Sequence, residues 1–230
     1  MIIPIKAAVA VNGLSSENVW DHENAFYWFT HRSRINKLLA HFELYKQIID
    51  LPGDVYEFGV YKAASIIRLA TFRDVLENDY SRKIVGFDAF GKFPTSHLTL
   101  ESDLNFVKDF ENQGGDGISL EDAHSIISNK GFENIELVAG DIFETLPPYL
   151  ENNPSTRISL LHLDMDVKEP SAFVLDEMYD RVVPNGLIVF DDYNAVAGES
   201  DAVDAFLSKR KLRIEKTSHY SIPAFVRKPQ

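Results

Sequence analysis

The stretch "LLHLDMDVKE", residues 160–169, begins as an apolar strand and ends in acids. Further along the chain, "GLIVFDDYN" (186–194) repeats this pattern, with Asp191 and Asp192 directly after an aliphatic run. Near-continuous apolar runs of this length are typical of strands that are buried on both faces of a parallel sheet. Parallel strands end at the same edge of their sheet, so Asp164 is expected to lie close to Asp191 and Asp192 if the two strands are neighbours.

Five such runs alternate with amphipathic stretches of helical length. The predicted strands are "DVYEFGV" (54–60), "KIVGFDAF" (83–90), "NIELVAGD" (134–141), "RISLLHLD" (157–164) and "GLIVFDD" (186–192). The predicted helices cover residues 63–77, 120–130, 171–182 and 201–209. Strands that alternate with helices predict a doubly wound α/β fold, in which helices cover both faces of a mostly parallel sheet.

The chain ends with two further strand-like runs, "KLRIEKT" (211–217) and "SIPAFVRK" (221–228). The connection between them is too short for a parallel crossover, so we expect them to pair as an antiparallel hairpin. The predicted sheet therefore has seven strands. Most dinucleotide-binding sheets do not finish in this way.

Two segments depart from the alternating pattern. Residues 1–50 are predicted to form one or two helices, with aromatic residues at 26–29, and to act as a lid or interface beside a domain that spans 51–230. Residues 91–119 have weak periodicity and are predicted to form a long loop or lid.

The composition limits the classes of partner. The 230 residues carry a formal net charge of −12, so we predict that neither nucleic acid nor a membrane is a partner. The absence of cysteine excludes disulfides, zinc thiolate sites and thiol nucleophiles. The N-terminal "MIIPIKAAVAVNG" lacks a basic region and is interrupted by Lys6, which predicts a soluble cytoplasmic protein rather than a secreted one.

Acidic residues end all five predicted parallel strands. They are Glu57, Asp88, Asp141, Asp164, Asp166, Asp191 and Asp192. A single acid at a strand end often caps the following helix. Five consecutive acidic strand ends favour a ligand site, because open parallel sheets bind ligands outside the carboxyl ends of their strands.

The first strand-to-helix turn, "EFGVYKAAS" (57–65), indicates the class of cofactor. Only Gly59 remains of the G-x-G-x-x-G pattern, and the three residues after it would crowd a pyrophosphate. A nucleoside without phosphates makes no such demand, and S-adenosylmethionine has a cationic end that suits Glu57 and a ribose diol that suits Asp88. The residues predicted to form the cofactor site are Glu57, Gly59, Val60, Tyr61, Ser65, Asp88, Asp141 and Asp164.

The acids after the fourth and fifth strands are expected to need a cation. Two carboxylates ~4 Å apart repel by about 4 kcal/mol at an effective dielectric of about 20, so a group of three must take up protons or bind a metal. Without cysteine or clustered histidine, Mg²⁺ is favoured over Zn²⁺, and Ca²⁺ and Mn²⁺ stay open. His162 shares a face of the strand with Asp164, within reach of a hydrogen bond to the site.

Five motifs of the chain resemble the macrocin O-methyltransferase family. They are "LPGDVYEFGVYKAAS" (51–65), "GFDAFGKFP" (86–94), "GDIFETLP" (140–147), "LHLDMDVKEP" (161–170) and "GLIVFDDYN" (186–194). The resemblance implies a class I methyltransferase fold and a Mg²⁺- and S-adenosylmethionine-dependent enzyme that methylates sugar hydroxyls of natural products. It also implies that Asp164, Asp191 and Asp192 bind the metal and that Asp164 is the catalytic base. Met165 departs from the glycine that the family usually has.

We therefore predict an O-methyltransferase that acts on a hydroxyl of a sugar or another secondary metabolite. If the chain forms a homo-oligomer, its N-terminal helices are the expected contact. Three alternatives stay open at this point: a catechol-type methyltransferase, a non-catalytic protein that binds the adenosyl cofactor, and a nicotinamide-dependent oxidoreductase. The incomplete glycine motif and the terminal hairpin disfavour the last of these.

Overall fold

The structure is a computed structural model that describes residues 8–230. The first seven residues, including the Lys6 used in the sequence prediction, lie outside the described residues. Within the described part of the chain, no helix is long and apolar enough to cross a membrane. The cytoplasmic location stays a prediction.

The N-terminal segment forms a small hairpin and two helices. The hairpin consists of β1 (Ala10–Val11) and β2 (Leu14–Ser15), and the helices are α1 (Val19–Phe29) and α2 (Ser33–Lys46). No residue of α1 is buried, whereas α2 buries one face. The two helices therefore differ in how firmly they join the rest of the molecule.

A seven-stranded sheet forms the centre of the molecule. Its parallel strands are β3 (Asp54–Phe58), β4 (Ile84–Asp88), β5 (Ile135–Ala139), β6 (Ile158–Leu163) and β7 (Val182–Phe190). The antiparallel hairpin consists of β8 (Glu215–Lys216) and β9 (Ala224–Arg227), and the order is β5-β4-β3-β6-β7-β9-β8. The predicted doubly wound α/β fold with a terminal hairpin is confirmed.

Helices cover both faces of this sheet. The helices after α2 are α3 (Ala64–Leu76), α4 (Glu101–Gly114), α5 (Leu120–Lys130), α6 (Ile142–Asn152), α7 (Lys168–Met178) and α8 (Ala197–Arg210). One core joins the sheet to α6, α7 and α8, and the other joins it to α2, α3 and α5. Successive strand residues point to opposite faces, so each strand contributes to both cores. Leu44 and Tyr45 of α2 lie in the second core, which fixes α2 against the sheet.

The strand order reverses between the neighbouring strands β3 and β6. The backbone N–H of Asp164 donates to the carbonyl of Phe58 at 2.8 Å, and that of Asp191 donates to the carbonyl of Leu163 at 2.9 Å. These bonds continue the ladders one residue beyond the strands. Because β6 also pairs with β7, the acids that follow both strands lie at one edge, as predicted.

The prediction of a loop over 91–119 is wrong for residues 101–114, which form helix α4. Apolar residues recur at helical spacing in this segment, at 104, 106, 107 and 110, but the helix buries only Asp103 and Val107. Asp103 accepts a hydrogen bond at 2.8 Å from the backbone N–H of Lys168, at the start of α7. A buried carboxylate therefore ties α4 to the domain.

Other elements also differ from the prediction. The sequence pattern did not predict α6, which contains Pro147 and Pro148, residues that normally argue against a helix interior. Strand β7 begins at Val182, before the expected turn at 184–186, because the β6–β7 register shifts there and admits the proline. Strand β8 has only two residues and lies at the sheet edge.

Candidate active site

A cavity of about 260 Å³ opens at the carboxyl ends of the parallel strands. Its acidic lining residues include Asp88, Asp141, Asp164, Asp166, Asp191 and Asp192. Its apolar lining residues include Phe87, Phe93, Ile142, Phe143 and Met165. Helix α2 contributes Arg34 and Lys37 from outside the alternating strand and helix units. The cavity therefore combines an acidic end with aromatic walls.

Gly59 allows the turn after β3 to lie directly against the chain after β6. Its φ is +94°, and a Cβ atom built on it would lie 1.7 Å from the carbonyl oxygen of Asp164. Both the positive φ and the close approach require glycine. Gly59 thus brings the turn after β3 against the acidic end of the cavity.

Asp88 fastens the same turn. Its Oδ2 accepts hydrogen bonds from the backbone N–H groups of Val60 at 2.8 Å and Tyr61 at 2.9 Å, and its Oδ1 accepts one from Phe90 at 2.7 Å. Free N–H groups in such a turn would bind an anion. Here they are bonded to a carboxylate, which disfavours a pyrophosphate and suits an uncharged ribose.

Most of the predicted site residues line this cavity. They are Gly59, Tyr61, Asp88, Asp141, Asp164, Asp191 and Asp192. Glu57, Val60 and Ser65 lie outside the lining of the cavity as the described residues form it. Glu57 is buried beneath the floor, where its Oε1 contacts Nδ1 of His162 at 3.2 Å. Asp141 lines the cavity and also caps α6, because its side chain accepts the N–H of Phe143.

Three carboxylates converge at the acidic end of the cavity. One oxygen from each of Asp164, Asp166 and Asp192 lies within 4.8 Å of the other two. All three side chains are partly exposed to the cavity. Three hard oxygen donors at this separation fit a divalent cation such as Mg²⁺ better than they fit a soft metal.

The electrostatics of these three acids reflect their crowding. Burial and the neighbouring charges of Asp192 and Asp191 raise the pKa of Asp166 to about 7. Burial, Asp191 and Asp166 raise the pKa of Asp164 well above its usual range. Burial and Asp191 also raise the pKa of Asp192. Without a cation, the group therefore retains protons that a bound metal would displace.

Asp191 has a different environment from Asp192, its neighbour in the chain. Its Oδ1 contacts Nε2 of His41 at 3.0 Å and Nε2 of His162 at 3.3 Å, and its Oδ2 pairs with Nζ of Lys37. Burial would raise the pKa of Asp191, but the hydrogen bonds from the two histidines hold it well below its usual range. Asp191 is therefore an ionised carboxylate that already has cationic partners.

The two histidines beside Asp191 carry different charges. Nδ1 of His41 accepts a hydrogen bond from Arg68 at 2.9 Å, which leaves the proton on Nε2, and burial lowers the pKa of His41 to about 4. Burial would also lower the pKa of His162, but hydrogen bonds to Asp191 and Glu57 raise it to about 9. His41 is therefore neutral, and His162 is an imidazolium between two carboxylates.

Glu199 contacts the backbone at the acidic end of the cavity. It is fully buried, and its Oε1 accepts the backbone N–H of Asp192 at 3.1 Å, while its Oε2 has no hydrogen-bond partner among the described residues. Burial raises the pKa of Glu199 to about 8. It therefore holds the Asp192 backbone as a protonated acid at neutral pH.

Sequence reasoning missed Lys37, His41, Arg68 and Glu199. Arg34, Lys37 and His41 follow one another at spacings of three and four, so they share one face of α2. This basic stripe on a helix of an acidic protein was the available signal. The predicted hydrogen bond from His162 to the site is present, to Asp191.

Comparisons with known proteins agree with this geometry. A family model described as macrocin O-methyltransferase (TylF) matches residues 8–227. A Streptomyces olivaceus protein named 8-demethyl-8-(2,3-dimethoxy-α-L-rhamnosyl)-tetracenomycin-C 4'-O-methyltransferase is 27% identical over 157 residues, which cover 66% of this chain. The chain spans 57% of the length of that relative.

Solved structures of similar proteins share the fold. The chain matches CalS11, a calicheamicin methyltransferase, with a TM-score of 0.67 and 26% identity over 91% of this chain and 85% of that one. An apo structure of CalS11, described as a TDP-rhamnose 3'-O-methyltransferase, gives a TM-score of 0.65 and 28% identity over 92% and 86%.

The O-methyltransferase NovP gives a TM-score of 0.73 at 21% identity, over 85% of this chain and 81% of that one, which bears on the fold alone. The structural matches and the family model lead to the same assignment. The family model covers the N-terminal helices and the whole sheet, including the strand ends that carry the acids. The chain belongs to the macrocin O-methyltransferase (TylF) family.

Proposed function

We propose that this protein is a Mg²⁺- and S-adenosylmethionine-dependent O-methyltransferase that acts on a hydroxyl of a sugar or another secondary metabolite. The observation that carries the proposal is the convergence of Asp164, Asp166 and Asp192 beside the turn at Gly59. A cation-binding group and a nucleoside-binding turn then border one cavity. Two of the relatives are named for acceptors that carry a sugar, a rhamnosyl group and TDP-rhamnose, which supports a sugar acceptor.

The cofactor would lie between the turn at Gly59 and the start of α6. Asp88 presents a fixed carboxylate to ribose hydroxyls, and Ile142 and Phe143 offer apolar contacts to an adenine ring. Glu57 is proposed to act from beneath the floor, as the partner of His162, rather than by direct contact. The cofactor supplies the methyl group.

The metal would be held by Asp164 and Asp192, with Asp166 as the third carboxylate that the geometry favours. The sequence prediction names Asp191 as the third ligand and stays a prediction, because both oxygens of Asp191 already have partners here. A divalent cation at this position would lower the pKa of an acceptor hydroxyl. Asp164, in turn, is proposed to accept the hydroxyl proton as the general base.

The protein's own contribution to the reaction is then mainly orientation. The close approach of Gly59 to Asp164 would fix the separation between a bound cofactor and the proposed base. The aromatic lining would exclude water from the path between acceptor and methyl group. Most of the rate enhancement would come from holding the two reactants in line.

We further propose that α1 contacts a second copy of the chain. Trp20, Tyr27, Trp28 and Phe29 are 61–80% exposed on a helix that buries none of its residues. Such a helix is not expected to be stable in water without a covering surface. A net charge of −12 disfavours nucleic acid or an anionic membrane as that surface. Light scattering of the wild type and of Trp28→Ser tests this proposal, which a monomeric wild type would contradict.

The test of the proposed activity is isothermal titration of S-adenosylhomocysteine into the purified protein, with and without Mg²⁺ and with NAD⁺ as a control. Micromolar binding of S-adenosylhomocysteine is expected. A panel of rhamnosides, nucleotide rhamnoses and catechols, assayed with S-adenosylmethionine and Mg²⁺, then separates sugar from catechol acceptors. Binding of NAD⁺ alone, or full activity after EDTA treatment, would contradict the proposal.

A further inference from the structure

We propose that Lys37 of α2 is the built-in counterion of the acidic group, and that by neutralising Asp191 it limits how tightly the site holds a divalent cation. This inference rests on the proposed metal site. Lys37 would be a positioning residue, because it acts on the acids rather than on a reacting atom.

The position of Lys37 is specific. Its Nζ pairs with Oδ2 of Asp191 and lies 3.8 Å from Oδ1 of Asp192. Its side chain is only 16% exposed and lines the cavity. Ordering a lysine side chain in this way costs conformational entropy, which the ion pair with a buried carboxylate offsets.

Lys37 reaches the site from a part of the chain that is remote in sequence. His41, one turn further along α2, bonds to the other oxygen of Asp191, so two residues of this helix share one carboxylate. Packing of Leu44 and Tyr45 into the second core holds α2 in this position. The N-terminal segment thereby completes the electrostatics of a site that the sheet builds.

The like charges of Lys37 and of a bound cation explain the expected effect. Asp164, Asp166, Asp191 and Asp192 line one cavity and together carry four negative charges when ionised. The ammonium of Lys37 offsets one of these charges, because it pairs with Asp191 and lies 3.8 Å from Oδ1 of Asp192. Without Lys37, the acids would carry one more uncompensated negative charge, and a divalent cation would be held more strongly.

A structural role for Lys37 makes a different prediction. If Lys37 only held α2 in place, its removal would loosen the acids and weaken metal binding. A counterion role predicts the opposite sign, because removal of a like charge close to the metal strengthens binding. The sign of the change therefore separates the two roles without any assay of activity.

The experiment measures the affinity for Mn²⁺ alone by electron paramagnetic resonance of the free ion, with thermal unfolding as a check of folding. Lys37→Met is expected to bind Mn²⁺ roughly tenfold more tightly than the wild type. Lys37→Arg keeps the charge and should stay within about threefold of the wild type. Lys46→Met is the matched control, since Lys46 lies on the same helix and pairs with Glu43 at the surface, away from the acids.

Two further variants keep the test decisive if Lys37→Met folds poorly. In Asp191→Asn, Lys37 is left without its main partner, and Mn²⁺ binding should weaken. The double variant Lys37→Met/Asp191→Asn should bind more tightly than Asp191→Asn. Unchanged or weaker binding on removal of Lys37 in both backgrounds would overturn the inference. No Mn²⁺ binding by the wild type would overturn the proposed metal site as well.

Discussion

Asp191 and Asp192 are neighbours in the chain but belong to two different environments. Asp191 is 3% exposed, and both of its oxygens are bonded to Lys37, His41 or His162. The Asp192 side chain is 21% exposed and faces Asp164 and Asp166 in the cavity. The hydrogen-bond ladder of β7 continues to the backbone N–H of Asp191, and because side chains alternate along an extended strand, those of Asp191 and Asp192 point in different directions.

Acidic residues that lie next to one another in a sequence can therefore have two separate functions. The buried group consists of Asp191 with Lys37, His41 and His162, which supply hydrogen bonds to both of its carboxylate oxygens. Through His41 and Arg68 it joins α2, α3 and the sheet. The cavity-facing group lacks a cationic partner at hydrogen-bond distance among the described residues and has raised pKa values. The first group is expected to govern stability, and the second to govern metal binding and catalysis.

The largest expected effect is on the cavity-facing side. Asp164→Asn removes both a proposed ligand and the proposed base, so kcat should fall by about three orders of magnitude or more. Binding of S-adenosylhomocysteine, measured by titration, should be retained. Asp201→Asn is the control, since Asp201 is an exposed residue of α8 that pairs with Lys168. Near-normal activity of Asp164→Asn would remove the proposed mechanism.

On the buried side, Asp191→Asn should destabilise the metal-free protein by about 3 kcal/mol, because it leaves the charges of Lys37 and His162 buried without their partner. Urea unfolding of the metal-free protein measures this change. A loss of stability no larger than that caused by a surface substitution would show that Asp191 does not stabilise the buried charges of Lys37 and His162.

Asp192→Asn is the matched variant, and its effect on the stability of the metal-free protein should have the opposite sign. It relieves repulsion among crowded carboxylates, so the metal-free protein should gain about 1 kcal/mol of stability while Mn²⁺ affinity falls. The same unfolding and resonance measurements apply. If both variants lost stability equally, the distinction between the two aspartates would be wrong.

The smallest expected effect concerns pH and Glu199. Because burial raises its pKa to about 8, the folded protein holds a proton that the unfolded chain releases above the usual range for glutamate. The stability that comes from this proton is therefore lost as the pH rises towards about 8. Glu199→Gln removes this dependence, so its stability advantage over the wild type should grow as the pH rises from about 5 to about 8. A constant difference in Tm across that range would contradict the assignment.

The sheet and the position of the acidic residues at one of its edges could be predicted, because both follow from local sequence patterns. Short apolar runs indicated β3 to β7, and the rule for parallel edges brought Asp164 to Asp191 and Asp192. Asp191 and Asp192 were predicted to share one metal site, although the alternation of side chains along a strand disfavours a shared direction. Gly59 was identified as the residue that remains from a glycine-rich turn.

The partners of Asp191 were not predictable, because they depend on contacts between residues that are far apart in the chain. His41 bonds to Asp191 across a separation of 150 residues, and Lys37 approaches from the same helix. No local pattern near Asp191 indicates either contact. Helix α4 was missed although its apolar residues recur at helical spacing, and its contact through Asp103 to the start of α7 also joins residues that are far apart in the chain.

The most direct test of the central claim is a crystal structure with S-adenosylhomocysteine and Mn²⁺, analysed by anomalous scattering from the metal. One Mn²⁺ peak is expected between Asp164, Asp166 and Asp192, with the cofactor product beside Gly59 and Asp88. A peak between His41, His162 and Asp191, or no peak in crystals that contain the product, would contradict the assignment of Asp191 and Asp192 to separate groups.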